Sequence, residues 1–222
     1  METRFKLLLV LLAMLLISTI SFCQENDQPQ HSNYEIKTLF NTKSPRASGG
    51  YGAVSNKFTT IDGKAANMVE MYGGWYINHR FLIGIGGAAV TNDIRVPEEF
   101  SAKPGVKMSY EYGQCGLMTE YVIGSDRAVH LSFQLFSGAG FTVQYERYGD
   151  WDEDSWDHDD AQDENWFFVT EPGVKAEINV FRWLRFAPGV SYRAAFNSKA
   201  KGLSDSDISG MSVNLTLKVG KF

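Results

Sequence analysis

The chain has little cysteine, little proline, and no long apolar stretch once its first 23 residues are set aside. Two cysteines occur in 222 residues. One of them, Cys23, lies at the end of an apolar N-terminal segment, so removal of that segment leaves Cys115 alone. This excludes an internal disulfide and a cysteine metal cluster. No later stretch approaches the roughly 20 apolar residues of a membrane-crossing helix, and no basic stripe of the kind that binds nucleic acid is present. The formal net charge of −5 is unevenly distributed. Nine acids and no Lys or Arg lie between Asp150 and Glu164, and the rest of the mature chain is mildly basic.

What is present begins with a secretion signal over residues 1–23. Arg4 and Lys6 form its positive start, Leu7 to Ile20 its apolar stretch, and Ser21-Phe22-Cys23 its cleavage site before Gln24. A retained helical anchor would need a longer apolar run. A lipoprotein cut at Cys23 would need a small residue where Phe22 stands. Residues 24–47 are polar and aperiodic and read as a periplasmic tail.

From residue 48 to the end, apolar residues recur at every second position, the period of a strand. The clearest run is Val129, Leu131, Phe133, Leu135, Ser137, Ala139, Phe141, Val143 and Tyr145, with polar or small residues between and Phe136 as an apolar intruder. At about 17 residues it far exceeds the ~5–6 of an ordinary strand. It includes the ~9–11 that cross a bilayer at a tilt. Similar runs start near Gly50 and include Val69 to Ile77, Phe81 to Ile85, Cys115 to Ile123, Phe168 to Ile178, Leu184 to Tyr192 and Met211 to Val219. Eight strands are predicted. Short connections near 78–80, 124–127 and 181–183 alternate with longer ones at 62–66, 92–105, 146–165 and 197–207. Short turns on one rim and long loops on the other are the pattern of bacterial outer-membrane barrels. The fold class is therefore all-β, an eight-stranded antiparallel up-and-down transmembrane barrel over 48–222. A soluble lipocalin-like barrel is the rival, and it would turn its apolar set inward.

The segments Gly73-Gly74-Trp75-Tyr76-Ile77-Asn78-His79-Arg80-Phe81, Gly84-Ile85-Gly86-Gly87 and Glu171-Pro172-Gly173, with this rhythm, resemble small Gram-negative outer-membrane barrels of the OmpA-like and OmpX-like group. The resemblance implies residence in the outer membrane among lipid and lipopolysaccharide, with long loops extracellular and both termini periplasmic. It also implies that the assembly machinery reads a C-terminal strand ending in an aromatic, here Phe222. Phe222 is out of phase with Leu215, Leu217 and Val219, which a bulge or frayed end at Gly220 would reconcile.

The face opposite the apolar one must line a lumen narrow enough for side chains to fill. Lys57, Glu70, Glu120, Glu171, Lys175, Glu177, Arg185, Arg193 and Lys218 fall on it. Since a stranded buried charge costs ~3–5 kcal/mol, these nine are expected to pair into an ionic plug. A narrow path for water or small ions is the alternative. His130 and Ser132 resemble the spacing of outer-membrane lipid A deacylases, which use a His and a Ser two apart on a strand. However, Gln144 stands where a carboxylate would hold the imidazole, so no catalytic residues are assigned. The acidic loop of 146–165 reads as a solvated segment. It could also be a site for an extracellular ligand or a divalent cation, with Asp150, Asp152, Asp154, Asp157 and His158 as weak metal candidates. Ser155 and Ala161 break the calcium-loop pattern. No cofactor is implied.

Overall fold

A computed structural model describes residues 49–77, 80–146 and 162–221. The signal segment, the tail, Phe222 and Asp150 to Ala161, which include all five metal candidates, lie outside the described residues. The strands are β1 (Gly49–Ile61), β2 (Lys64–Ile77), β3 (Phe81–Val90), β4 (Ile94–Arg95), β5 (Met108–Ile123), β6 (Val129–Glu146), β7 (Gln162–Phe181), β8 (Leu184–Phe196) and β9 (Gly210–Gly220). Each long strand pairs antiparallel with its neighbours in sequence, β9 pairs with β1, and β3 pairs with β5. The ring is an eight-stranded up-and-down barrel. The two-residue β4 lies against the long-loop end of β5 through Ile94 and Tyr110.

The alternation predicted from sequence decides which way each side chain points. On β1 the burial pattern is strictly alternate: Val54 and Phe58 point outward, while Tyr51, Lys57 and Ile61 point inward. Ile85 is 75 % exposed and Met71 62 %. This sets aside the lipocalin-like arrangement, whose apolar set would be inward. Phe136, out of phase in the sequence, is buried in the lumen.

Four readings of the connections change. The stretch 62–66 is not a long loop: Asp62 and Gly63 alone join β1 to β2, with φ of 53° and 66°. Two positive φ angles are what a type I′ hairpin turn demands. The connection after β3 holds β4 and a 3-10 turn at Glu98–Phe100. The one before β9 holds a short helix, α1 (Asp205–Ile208). β7 begins at Gln162, so the strand takes in the last residues assigned to the acidic loop.

The glycine-rich segments have steric roles. Gly74 and Gly84 face one another across β2 and β3, and a Cβ on Gly84 would stand 2.1 Å from the carbonyl oxygen of Gly73. In Glu171-Pro172-Gly173, the β7–β8 ladder lapses at Glu171 and Pro172 and resumes at Gly173 in the same register. A proline has no N–H to contribute there. At the C-terminal end Gly220 keeps its register with Tyr51, so no bulge forms at that position.

Candidate functional site

The lumen has three layers. Nearest the short turns lies an ionic cluster. Lys218 Nζ, from β9, donates to Glu120 Oε2 at 2.7 Å and to Glu177. Glu177 also takes Arg185 Nη1 at 3.1 Å and lies 3.0 Å from His130 Nε2. Tyr72 donates to Glu120 Oε1 at 3.0 Å while accepting Lys175 Nζ at 2.8 Å, and Tyr51 also donates to Glu120. Lys175 lies 3.8 Å from the same carboxylate. Tyr51, Tyr72 and Tyr76 do more than fill space here. Lys218, Lys175 and Arg185 stand 5.5, 4.8 and 5.9 Å from their respective ring centroids, within the ~6 Å range of cation–π attraction.

Above it, Lys57 bridges Glu70 at 2.8 Å and Glu171 at 2.6 Å. Glu171 is further held by Ser191 Oγ at 2.5 Å and Gln114 Nε2 at 3.1 Å. Asn214 steadies Ser191 through a bond of 2.9 Å to its hydroxyl. The third layer is largely apolar and surrounds Arg193. Ile61, Met68, Ile94, Tyr110, Tyr112, Leu203 and Ile208 are buried together under the long-loop rim. α1 lies at this end, with Ile208 buried and Ser204 and Asp207 forming its capping box.

All nine predicted lumen charges are buried. Eight join these two clusters. The ninth, Arg193, differs from the expectation of an ion pair. Its Nε and Nη2 donate to the carbonyls of Ile208 at 2.8 Å and Thr60 at 3.1 Å. Its guanidinium lies 5.0 Å from the ring centre of Tyr112. A planar fork of donors meets backbone acceptors as readily as carboxylates, and here it anchors α1. Sequence reasoning overlooked the tyrosines, His130, Gln114 and Ser191 as members of the network. Except for His130, whose strand carries none of the nine charges, their even spacing from charged residues on the same strand was the available signal.

His130 and Ser132 also point into the lumen and are buried, away from membrane lipid. Gln144 holds the loop before β5, with Nε2 donating to Phe100 O at 3.1 Å and Oε1 accepting from Ala102 N at 3.0 Å. Ser132 Oγ, both amide atoms of Gln134 and one oxygen each of Glu70 and Asn214 have no hydrogen-bond partner among the described residues. At the long-loop rim Tyr145 donates to Asp93 at 2.7 Å. Partial burial and then that carboxylate push its phenol up to about 12. Among the described residues no three His, Cys, Asp or Glu side chains gather in a metal-binding group.

A closed ring of eight long strands, greasy outside and ionic within, is the decisive observation. The fold is that of a small outer-membrane β-barrel. Comparison with solved structures agrees: Neisserial surface protein A superposes with a TM-score of 0.51 at 10 % identity, over 79 % of this chain and 97 % of that one. A major outer membrane protein from Thermus thermophilus gives 0.49 at 10 % identity, over 78 % of this barrel chain and 99 % of its own. Ail of Yersinia pestis, solved with the heparin analogue sucrose octasulfate, gives 0.46 at 11 %, over 78 % and 97 %. No protein-family model and no curated protein matches the sequence.

Proposed function

We propose that this protein is an integral outer-membrane barrel with a closed lumen. It would act as a structural or surface-interaction element through its long loops rather than as a conduit. The observation that carries this reading is an interior filled by buried side chains, ion-paired towards the short turns and packed under α1 with apolar groups around the Arg193 guanidinium. In this reading the long loops are extracellular, both termini are periplasmic, and the assembly machinery engages the last strand.

Two measurements test it. In planar bilayers the folded barrel should give no large, steady conductance; uniform channels would overturn the closed lumen. In whole cells, a Lys103→Cys variant in a Cys115→Ser background should react with a membrane-impermeant maleimide. Recovery of the protein from the soluble periplasm, or labelling only after the cells are opened, would overturn the location or the orientation.

The unpartnered lumen groups around Gln134, Ser132 and Asn214 favour one second reading, a narrow path for water. Buried polar atoms of this kind are ordinarily met by ordered water. Vesicles containing the barrel would then shrink faster under osmotic shock than protein-free vesicles. Equal rates would remove this reading.

A further inference from the structure

The short-turn rim carries an arginine in each of its three turns: Arg80 between β2 and β3, Arg127 between β5 and β6, and Arg182 between β7 and β8. All three side chains are exposed, and among the described residues none makes an ion pair or a side-chain hydrogen bond. Asp126 is the only acid in these turns. The opposite rim differs, since Lys64 there holds Asp62 and Lys103 holds Glu146.

The turn backbones are pinned, while among the described residues the guanidiniums hold no partner. Val122 N donates to Arg80 O at 2.7 Å, Asn179 N to Ala128 O at 2.9 Å, and Gly220 N to Trp183 O at 3.0 Å. Next to the arginines stand outward aromatics. Phe81 pairs across strands with Tyr121. Phe181 and Trp183 stack at 5.7 Å and 9°, both exposed, on either side of Arg182. Such aromatics mark the level of lipid headgroups, which puts the guanidiniums of Arg80 and Arg182 where phosphates begin, and Arg127 shares their rim. Arginine's planar donor fork suits a phosphate oxygen pair.

We propose that this rim is a binding surface for the phosphodiester headgroups of anionic phospholipids in the periplasmic leaflet. The leaflet assignment rests on the orientation proposed above; the headgroup preference does not. A basic group near an anionic lipid surface gains about fivefold in association, so the effect is local and additive around the rim.

The test uses the full mature chain, refolded in vesicles, with Trp183 as the sole tryptophan (the other four replaced by Phe). Its fluorescence is quenched by acyl-brominated phosphatidylglycerol or phosphatidylcholine. About fivefold preference for phosphatidylglycerol is expected at low salt. It should fall close to unity in Arg182→Gln and in roughly 0.5 M salt, where screening is strong, with heat-modifiable gel mobility intact. The triple variant R80Q/R127Q/R182Q should also lose any stabilisation against urea that phosphatidylglycerol vesicles give the parent. Equal association of both lipids with the parent overturns the proposal, as does a preference that survives Arg182→Gln. So does binding to isolated peptidoglycan that needs these arginines without any lipid preference. The maleimide labelling of cells reports orientation separately, so a failed orientation and a failed lipid preference are told apart.

Discussion

Lys218 shows how much depends on single side chains in this lumen. It neutralises Glu120 and Glu177 at once, so Lys218→Met leaves two buried carboxylates with fewer cations. The expected loss is ~3–5 kcal/mol, read from urea unfolding in lipid vesicles. Ser191→Ala removes a hydroxyl donor to the Glu171 carboxylate and should cost ~1.5–3 kcal/mol, because the acceptor is charged. Ser55→Ala breaks only the neutral contact with Thr216 Oγ at 2.8 Å, for which ~0.5–1.5 kcal/mol is expected. If Ser191 and Ser55 proved equal in the same assay, the charge of the acceptor would not matter as argued. The inward phase of all nine charges was legible in the sequence, because period two places every second residue on one face. Arg193 was legible only as a buried cation. Its acceptors are carbonyls of Thr60 and Ile208, and every residue has a carbonyl, so no side-chain pattern advertises the pairing.

At the scale of elements, strand pairing depends on small residues where backbones crowd. Gly84→Val would drive a side chain into the β2 backbone, whose carbonyl oxygen lies 2.1 Å from the Cβ position. The expected result is loss of the folded, heat-modifiable band. Gly50→Ala, whose Cβ position meets nothing closer than 3.8 Å, should fold as the parent does. The Asp62-Gly63 turn is shorter than the connection of 62–66 that composition suggests. Asp-Gly is among the strongest short hairpin signals, but the polar and small residues Lys64, Ala65 and Ala66 resemble loop composition. The structure puts them in β2 because Lys64 to Ala66 pair in register with Ile61 to Thr59. α1 was not visible beforehand. Four residues carry too little periodicity to register, and the helix exists through its capping box and through Ile208 entering the lumen.

For the whole molecule, the exterior sets the solvent the protein requires. Leu135 points outward near the middle of β6, so Leu135→Arg should destabilise the barrel in bilayers by ~2–4 kcal/mol. If the variant were as stable as the parent, the outer face would not be lipid-facing. Alternation, strand length and the order of turns all repeat locally along the chain, and these by themselves determined the strand count, the class of fold and the inward or outward sense of nearly every residue. The tertiary structure alone decided which charge meets which and how α1 packs at the long-loop end. Glu120 and Lys218 are 98 residues apart, on strands that are not neighbours in the ring. Their contact depends on strand stagger and on closure of β9 against β1, geometry that no local period encodes.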